Sequence, residues 1–506
     1  MGGAGRLRRL LLVTGLLLAT GSGLSAQSGD LRQSVDLSLI EAVKHQQTAA
    51  VGALLAEIDV NARQPDGATA LHWAVYRDDL ATARLLIGAG ADAGVANELG
   101  VTPLALACEN TNAAMVETLL AAGADATAAV GAGETVLMSC ARTGSVVAVR
   151  ALLGAGADVN RREPTEEQTA LMWAVAQRHP AVVEVLLESG ADVHARSRVR
   201  RKVISRRLQS ELKYGELGRS YGTDAEETRI GGFTPLLFAA RQGDIDSARL
   251  LLAKDANVND TAPDGTSALV VATHSGHGTL ATFLLDRGAN PNAAEAGYTA
   301  LHAAALTGDL DLVAALLAHE ARPDAQVTLA TRVTRNGQVL MLGEHLLGAT
   351  PFALAAKFTD VGIMRALADA GADVRLPLKN GWTPLMLAAS ASWRYAVWDR
   401  RDRALAKAPA FQAQMYDEAG TLAAVRFAVE SGADVNAVDA VGSTALHYVV
   451  DKGFDAVVEF LAARGANLEA TNSRGQTPLA IVARGRTGNV EKAPVTAELL
   501  RALGAR

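Results

Sequence analysis

Two short apolar patterns of helical period alternate along this chain, and their alternation recurs every 33 residues. The first pattern opens on Thr-(Ala/Pro)-Leu, where the Leu begins the apolar run. About ten residues later a polar turn such as Gln242-Gly243-Asp244 reverses the chain. A second run follows with apolar residues at i, i+3 and i+4 spacing, as in Val182, Val183, Leu186 and Leu187, which predicts an amphipathic helix. That helix ends in Gly-Ala-Asp-Val or a close variant, at Gly90, Gly123, Gly156, Gly190, Gly371 and Gly432. Glycine there supplies the left-handed C-terminal cap.

The starts at Gly67, Gly100, Gly133 and Glu167 set the period, and the series resumes at Gly232, Gly265, Gly297, Gly348, Gly381, Gly442 and Gly475. Each Thr can accept a bond from an orphan backbone N–H at a helix start. Pro103, Pro235, Pro351, Pro384 and Pro478 fall in the first turn, where a missing N–H costs nothing. These residues resemble the ankyrin repeat, with its Thr-Pro-Leu-His turn and its Gly-Ala-Asp-Val-Asn ending, in about eleven copies over roughly residues 37–506. The resemblance implies an all-α solenoid of stacked helix-turn-helix units, with projecting loops lining a curved groove that binds macromolecules. Stability then comes mainly from neighbouring units, with polar caps at the ends. Two departures test that reading: Asp255 and Glu320 replace the capping glycine, and Glu320 predicts an irregular helix end.

The expected organisation is a signal peptide over 1–26, a linker and capping helices over 27–61, and repeats over 62–195, 231–325, 348–390 and 421–506. Three insertions interrupt them, at 196–230, 326–347 and 391–420. The first carries an arginine-rich run with Arg200, Arg201, Arg206 and Arg207, while Val199, Val203 or Ile204, Leu208 and Leu212 recur at a spacing that predicts a basic amphipathic helix. Such a helix could dock an acidic partner or fold back on its own acidic scaffold. The second predicts a β-hairpin in which Val327, Thr328, Leu329 and Val333 face Val339, Leu340 and Met341 across Asn336-Gly337. The third sets Trp393, Tyr395 and Trp398 beside Arg400 and Arg401, a composition favoured at binding hot spots.

Composition adds the compartment and removes some functions. Arg6, Arg8 and Arg9 precede the apolar run Leu10–Leu18 and a cleavage point after Ala26, the signature of a secretory signal. Cleavage removes three arginines and no acid, taking the formal charge from −6 to −9. An acidic chain is a poor binder of nucleic acid, which is held by phosphate neutralisation. No apolar run is long enough for stable membrane insertion. The preference for arginine over lysine is an expected mark of a bacterial genome with biased base composition. Cys108 and Cys140 fall on the first helices of neighbouring repeats, which stack about 10 Å apart. That spacing predicts two buried thiols rather than a disulfide.

The runs Gly88-Ala89-Gly90 and Gly154-Ala155-Gly156 mimic a dinucleotide-binding pattern but follow helices, not strands. His72, His302 and His447 share one repeat position, too far apart to share a metal. No catalytic constellation, cofactor motif or metal motif emerges. The sequence therefore predicts a monomeric, exported, non-catalytic scaffold for a protein partner, or an organising subunit of a periplasmic or cell-surface enzyme complex.

Overall fold

A computed structural model describes residues 31–205, 225–329, 331–335, 338–342, 344–390, 417–483 and 493–506. Short helices arranged in antiparallel pairs make up about half of it, and the chain divides into two compact units.

The first unit comprises residues up to Arg201 together with Gly231–Ala239 and Asp246–Asn257. Its helix pairs are Leu31–Lys44 with Thr48–Leu54, Ala70–Tyr76 with Leu80–Gly88, Pro103–Glu109 with Ala113–Ala121, Val136–Thr143 with Val146–Gly154, and Ala170–Ala176 with Pro180–Glu188. First helices pack on first helices and second helices on second helices of the adjoining pair. The second unit repeats this arrangement from Ala268–His274 with Gly278–Asp286 through Pro478–Ala483 with Ala493–Ala502. Its stack passes through the second and third insertions without a break. Ala300–Thr307 packs on Pro351–Lys357, and Pro384–Ala389 packs on Ala445–Val450.

Local chemistry explains each helix start. Thr102, Thr135, Thr169, Thr350 and Thr383 take extended backbone and accept a bond from the N–H three residues on. Where histidine occupies that third position the cap becomes reciprocal. The Thr69 N–H donates to His72 Nδ1 at 3.1 Å, and His72 Nε2 reaches the Val101 carbonyl of the next repeat at 3.0 Å. His302 does the same with Thr299 and Ala349, and His447 with Thr444 and Gln476.

Asparagine ends of the Gly-Ala-Asp-Val-Asn motif tie one repeat to the next. The Asn160 amide donates to the Gly190 carbonyl at 3.0 Å and its oxygen accepts from the Asp192 N–H at 2.8 Å. Asn61, Asn292 and Asn436 make the same double bridge to their successors. Between helices, Ala74, Ala107, Ala174, Ala304, Ala355 and Ala388 are fully buried, and their small side chains allow close approach.

The turn between paired helices holds a left-handed residue. At Gly144 a Cβ would lie 2.7 Å from the His179 ring, so only glycine fits. Thr111 occupies the equivalent place at φ +63°, a costly conformation for a β-branched residue. The following repeat has the small Ser145 where His179 stands elsewhere, which leaves Thr111 room but not comfort. Thr111→Gly should raise the unfolding free energy by about 1 kcal/mol in urea titrations. A loss of stability would show that the turn is not strained.

Four expectations need correction. Glu320 does not end its helix irregularly; it adopts φ +63°, the conformation of the glycines it replaces, because the packed turn imposes it. Val199–Ser205 is not a helix but a strand, forming a two-stranded sheet with Ala225–Gly231. The reason is the preceding loop: Arg198 N–H bonds the Glu166 carbonyl and Ser197 N–H the Phe233 carbonyl, so the chain leaves the repeat already extended. β-Branched Val199, Val203 and Ile204 continue it that way. The glycine that closes this hairpin, Gly231, has φ +87°, and a Cβ there would strike the Arg198 carbonyl.

The second hairpin is present, with Thr331–Arg335 antiparallel to Gln338–Leu342 and Val333 opposite Leu340. Val327, Thr328 and Leu329 lie outside it: Val327 exchanges backbone bonds with Gly348 and Ala349 at the hairpin base, and the Thr328 N–H donates to the Gly297 carbonyl of the preceding repeat. The Asn336-Gly337 turn lies outside the described residues.

Finally, Cys108 and Cys140 form a disulfide, with Cα atoms 4.6 Å apart. Their separation of 32 residues is one short of the repeat period. Cys108 is the sixth residue after Thr102, whereas Cys140 is the fifth after Thr135. That offset of one position, about 100° around a helix, turns the two side chains toward each other across the shared interface. The interaxial distance used for the sequence-based expectation ignored this rotation.

Candidate functional site

Each first helix presents one face to the loop that precedes it. The positions on that face lie just before the capping Thr and four and seven residues after it. In the first unit they hold Trp73, Tyr76, Glu109, Glu134, Ser139, Arg142 and Trp173. Trp73 donates its indole N–H to Gln64 Oε1 at 3.2 Å, with Tyr76 edge-on at 5.6 Å and the Lys44 ammonium 4.7 Å from its ring. One step along, Arg142 bridges Glu109 of the preceding repeat and approaches Glu134 at 3.9 Å. Ser139 donates to the same Glu134 oxygen at 2.9 Å, and the Arg142 guanidinium lies 5.8 Å from the Trp173 ring.

The second unit carries the same positions forward. Tyr298 meets His274 edge-on, and Trp382 packs against Tyr448 with centroids 4.6 Å apart. The Tyr448 hydroxyl donates to Asp439 Oδ2, while Asp439 Oδ1 accepts from the Val441 and Ser443 N–H groups. Burial, and then the Asp439 carboxylate, hold the Tyr448 phenol above its ordinary range. Burial likewise pushes up the Tyr298 phenol, which is 2% exposed.

Second helices differ in kind. Their aromatics are phenylalanines under arginines: Arg287 over Phe283, Arg365 over Phe427, and Arg426 and Arg464 over Phe460. All the tryptophans and tyrosines of the chain fall either on the first-helix face or in the first and third insertions. Those on the face are Trp73, Tyr76, Trp173, Tyr298, Trp382 and Tyr448.

Of the residues picked out as partner-binding from the sequence, Arg200 and Arg201 are placed and both are exposed. Arg200 pairs with Glu166 at 2.5 Å and donates to the Thr165 carbonyl at 3.2 Å, so its guanidinium rests on the neighbouring loop. Arg198 similarly pairs with Glu167 at 3.1 Å. Arg206, Arg207, Trp393, Tyr395, Trp398, Arg400 and Arg401 lie outside the described residues. The row on the first-helix face escaped the sequence reading, although its signal is there: Trp or Tyr recurring at fixed offsets from the capping Thr.

The three histidines of the reciprocal caps have both ring nitrogens engaged. Nδ1 of His72, His302 and His447 accepts a backbone N–H, and Nε2 is engaged by a carbonyl. Burial depresses all three imidazoles, and His302 is driven down to about 4. Among the described residues no cluster of His, Cys, Asp or Glu could hold a metal ion, and no helix is long and apolar enough to cross a membrane.

Stacked helical hairpins, a reciprocal Thr–His cap and asparagine bridges define a class of interaction scaffold. The family model for ankyrin repeats (3 copies) matches residues 39–130, 127–197, 216–295, 236–327 and 413–493, and this chain belongs to the ankyrin-repeat family. It is similar to neurogenic locus notch homolog protein 1 of Homo sapiens, 28% identical over 268 residues. That match covers 51% of this chain and only 8% of the relative. It is also similar to the putative ankyrin repeat protein YahD of Escherichia coli strain K12, 27% identical over 46% of this chain and 95% of that one. The human ASB11 ankyrin repeat domain is 26% identical, with a TM-score of 0.39, covering 50% of this chain and 98% of that domain. Ankyrin-repeat domains are generally protein–protein interaction scaffolds.

Proposed function

We propose that this chain is an exported, non-catalytic scaffold of about eleven repeats that captures a protein partner on the first-helix face. One observation carries the reading: Trp and Tyr are confined to that face and to the insertions, while the second helices use Phe. Trp, Tyr and Arg dominate binding hot spots because they combine large contact area with a polar handle. Their rigid seating, as in the Trp73–Gln64 and Tyr448–Asp439 pairs, limits the ordering entropy lost on binding. Export follows from the basic and apolar N-terminus, which ends in a small-residue cleavage point at Ala26.

The test is crosslinking and capture by the mature protein, followed by affinity measurement on the partner obtained. Trp173→Ala should weaken binding at least about 30-fold, the loss typical of a central aromatic anchor. Phe283→Ala on the second helix Gly278–Asp286 should leave affinity within about twofold, each variant being checked for native circular dichroism. If only removal of 391–416 abolishes capture, the binding surface is the insertion and not the helix face.

A further inference from the structure

The chain has two cysteines, and both are consumed in one bond. Cys108 and Cys140 are each 0% exposed, packed between Pro103–Glu109 and Val136–Thr143. Above them on the first-helix face lies the Glu109–Arg142 pair, one residue beyond Cys108 and two beyond Cys140. The Thr143 hydroxyl closes the helix end, donating to the Cys108 carbonyl at 3.0 Å with the Cys140 carbonyl at 3.2 Å. A disulfide exchanges only when a thiolate reaches one of its sulfurs. Neither sulfur can be reached in the packed pair. In the other repeats these places are filled chiefly by Ala or Val, so packing does not itself demand cysteine.

We infer that the Cys108–Cys140 crosslink is made by a dithiol–disulfide oxidoreductase in an oxidising compartment, before these two repeats close on each other, and is then sealed from reductants. The inference rests on the export reading, because reducing compartments keep such thiols free. In the reaction one cysteine thiolate attacks the catalyst's disulfide and expels one catalyst thiolate, giving a mixed disulfide. The second cysteine thiolate then attacks the sulfur of the first and expels the other catalyst thiolate. Two electrons pass to the catalyst, and the two thiol protons leave to solvent or to the departing thiolates. Closure of the helices afterwards removes both sulfurs from further exchange. The finished bond also holds together the two helices that carry Glu109 and Arg142.

Thiol trapping tests this on the full chain produced in bacteria behind its own first 26 residues. Cells are quenched in acid, and the denatured protein is labelled with a maleimide-polyethylene glycol that retards it on a gel. The exported chain should take no label until it is reduced, and then two. In cells lacking the periplasmic dithiol oxidant it should take two labels at once, as should a leaderless chain kept in the cytoplasm. Two labels on the exported chain with the oxidant present would overturn the inference. So would an unlabelled cytoplasmic chain. Fractionation separates this from export itself: a chain that its own leader fails to carry out refutes the export reading alone, and a substitute leader then reads the bond. For the seal, the folded chain in dithiothreitol should lose the bond at least about a hundredfold more slowly than in concentrated urea, since opening is then limiting. Equal rates would refute it.

Discussion

Replacing Cys108 and Cys140 together by alanine should lower the free energy of unfolding by about 3.5 kcal/mol. The bond closes a loop between residues 32 apart. A crosslink of that span removes about that much chain entropy from the unfolded state. Alanine already occupies the equivalent places in several repeats, so the variant loses the crosslink with little disturbance of packing. In a solenoid the loss falls on one interface, because each repeat is held by its neighbours. The helices Pro103–Glu109 and Val136–Thr143 should therefore show the largest gain in amide hydrogen exchange. Urea unfolding of the variant against the oxidised parent gives the energy. A difference within about 0.5 kcal/mol would mean that the bond constrains nothing the packing does not already hold.

Acid should weaken the fold through His302. Its Nδ1 accepts the Thr299 N–H at 3.1 Å, and its Nε2 donates to the Ala349 carbonyl at 3.2 Å. That pattern uses the neutral imidazole; a proton on Nδ1 would meet a donor. Burial holds the folded-state pKa at about 4, against 6.5 for the free side chain. The folded protein thus refuses a proton that the unfolded chain accepts. Its stability is full above pH 6.5, falls as pH drops through 6.5 toward 4, and levels off below that. That difference in proton affinity corresponds to roughly 3 kcal/mol, most of it lost by pH 4.5. His302→Gln should be less stable at pH 7 yet lose that much less between pH 7 and pH 4.5. Parallel loss in the two proteins would exclude His302 as the acid-sensitive group. His72 and His447 act in the same direction.

Several parts of this protein are legible from local sequence because local bonds make them. A Thr that accepts from the third N–H on, a Pro in the first turn and a glycine with positive φ each act within a few residues. Their recurrence at a constant interval then requires identical pairs to stack. The Thr and Pro helix starts and the Val333–Leu340 pairing were legible for that reason. The arginine-rich stretch was not. Its four-residue apolar spacing suits a helix, but the backbone bonds of Ser197 and Arg198 commit it to a strand before that spacing can act.

By itself the sequence determined the helix pairs, their caps and their stacking order, since these depend on periodicity and on side chains acting on adjacent backbone. Only the tertiary structure decided that Cys108 and Cys140 are bonded and that Arg142 reaches across to Glu109 of the preceding repeat. Those facts depend on how far one helix is rotated against the next. One residue of offset, about 100° around the axis, changes which side chains meet, and a repeat length does not record it.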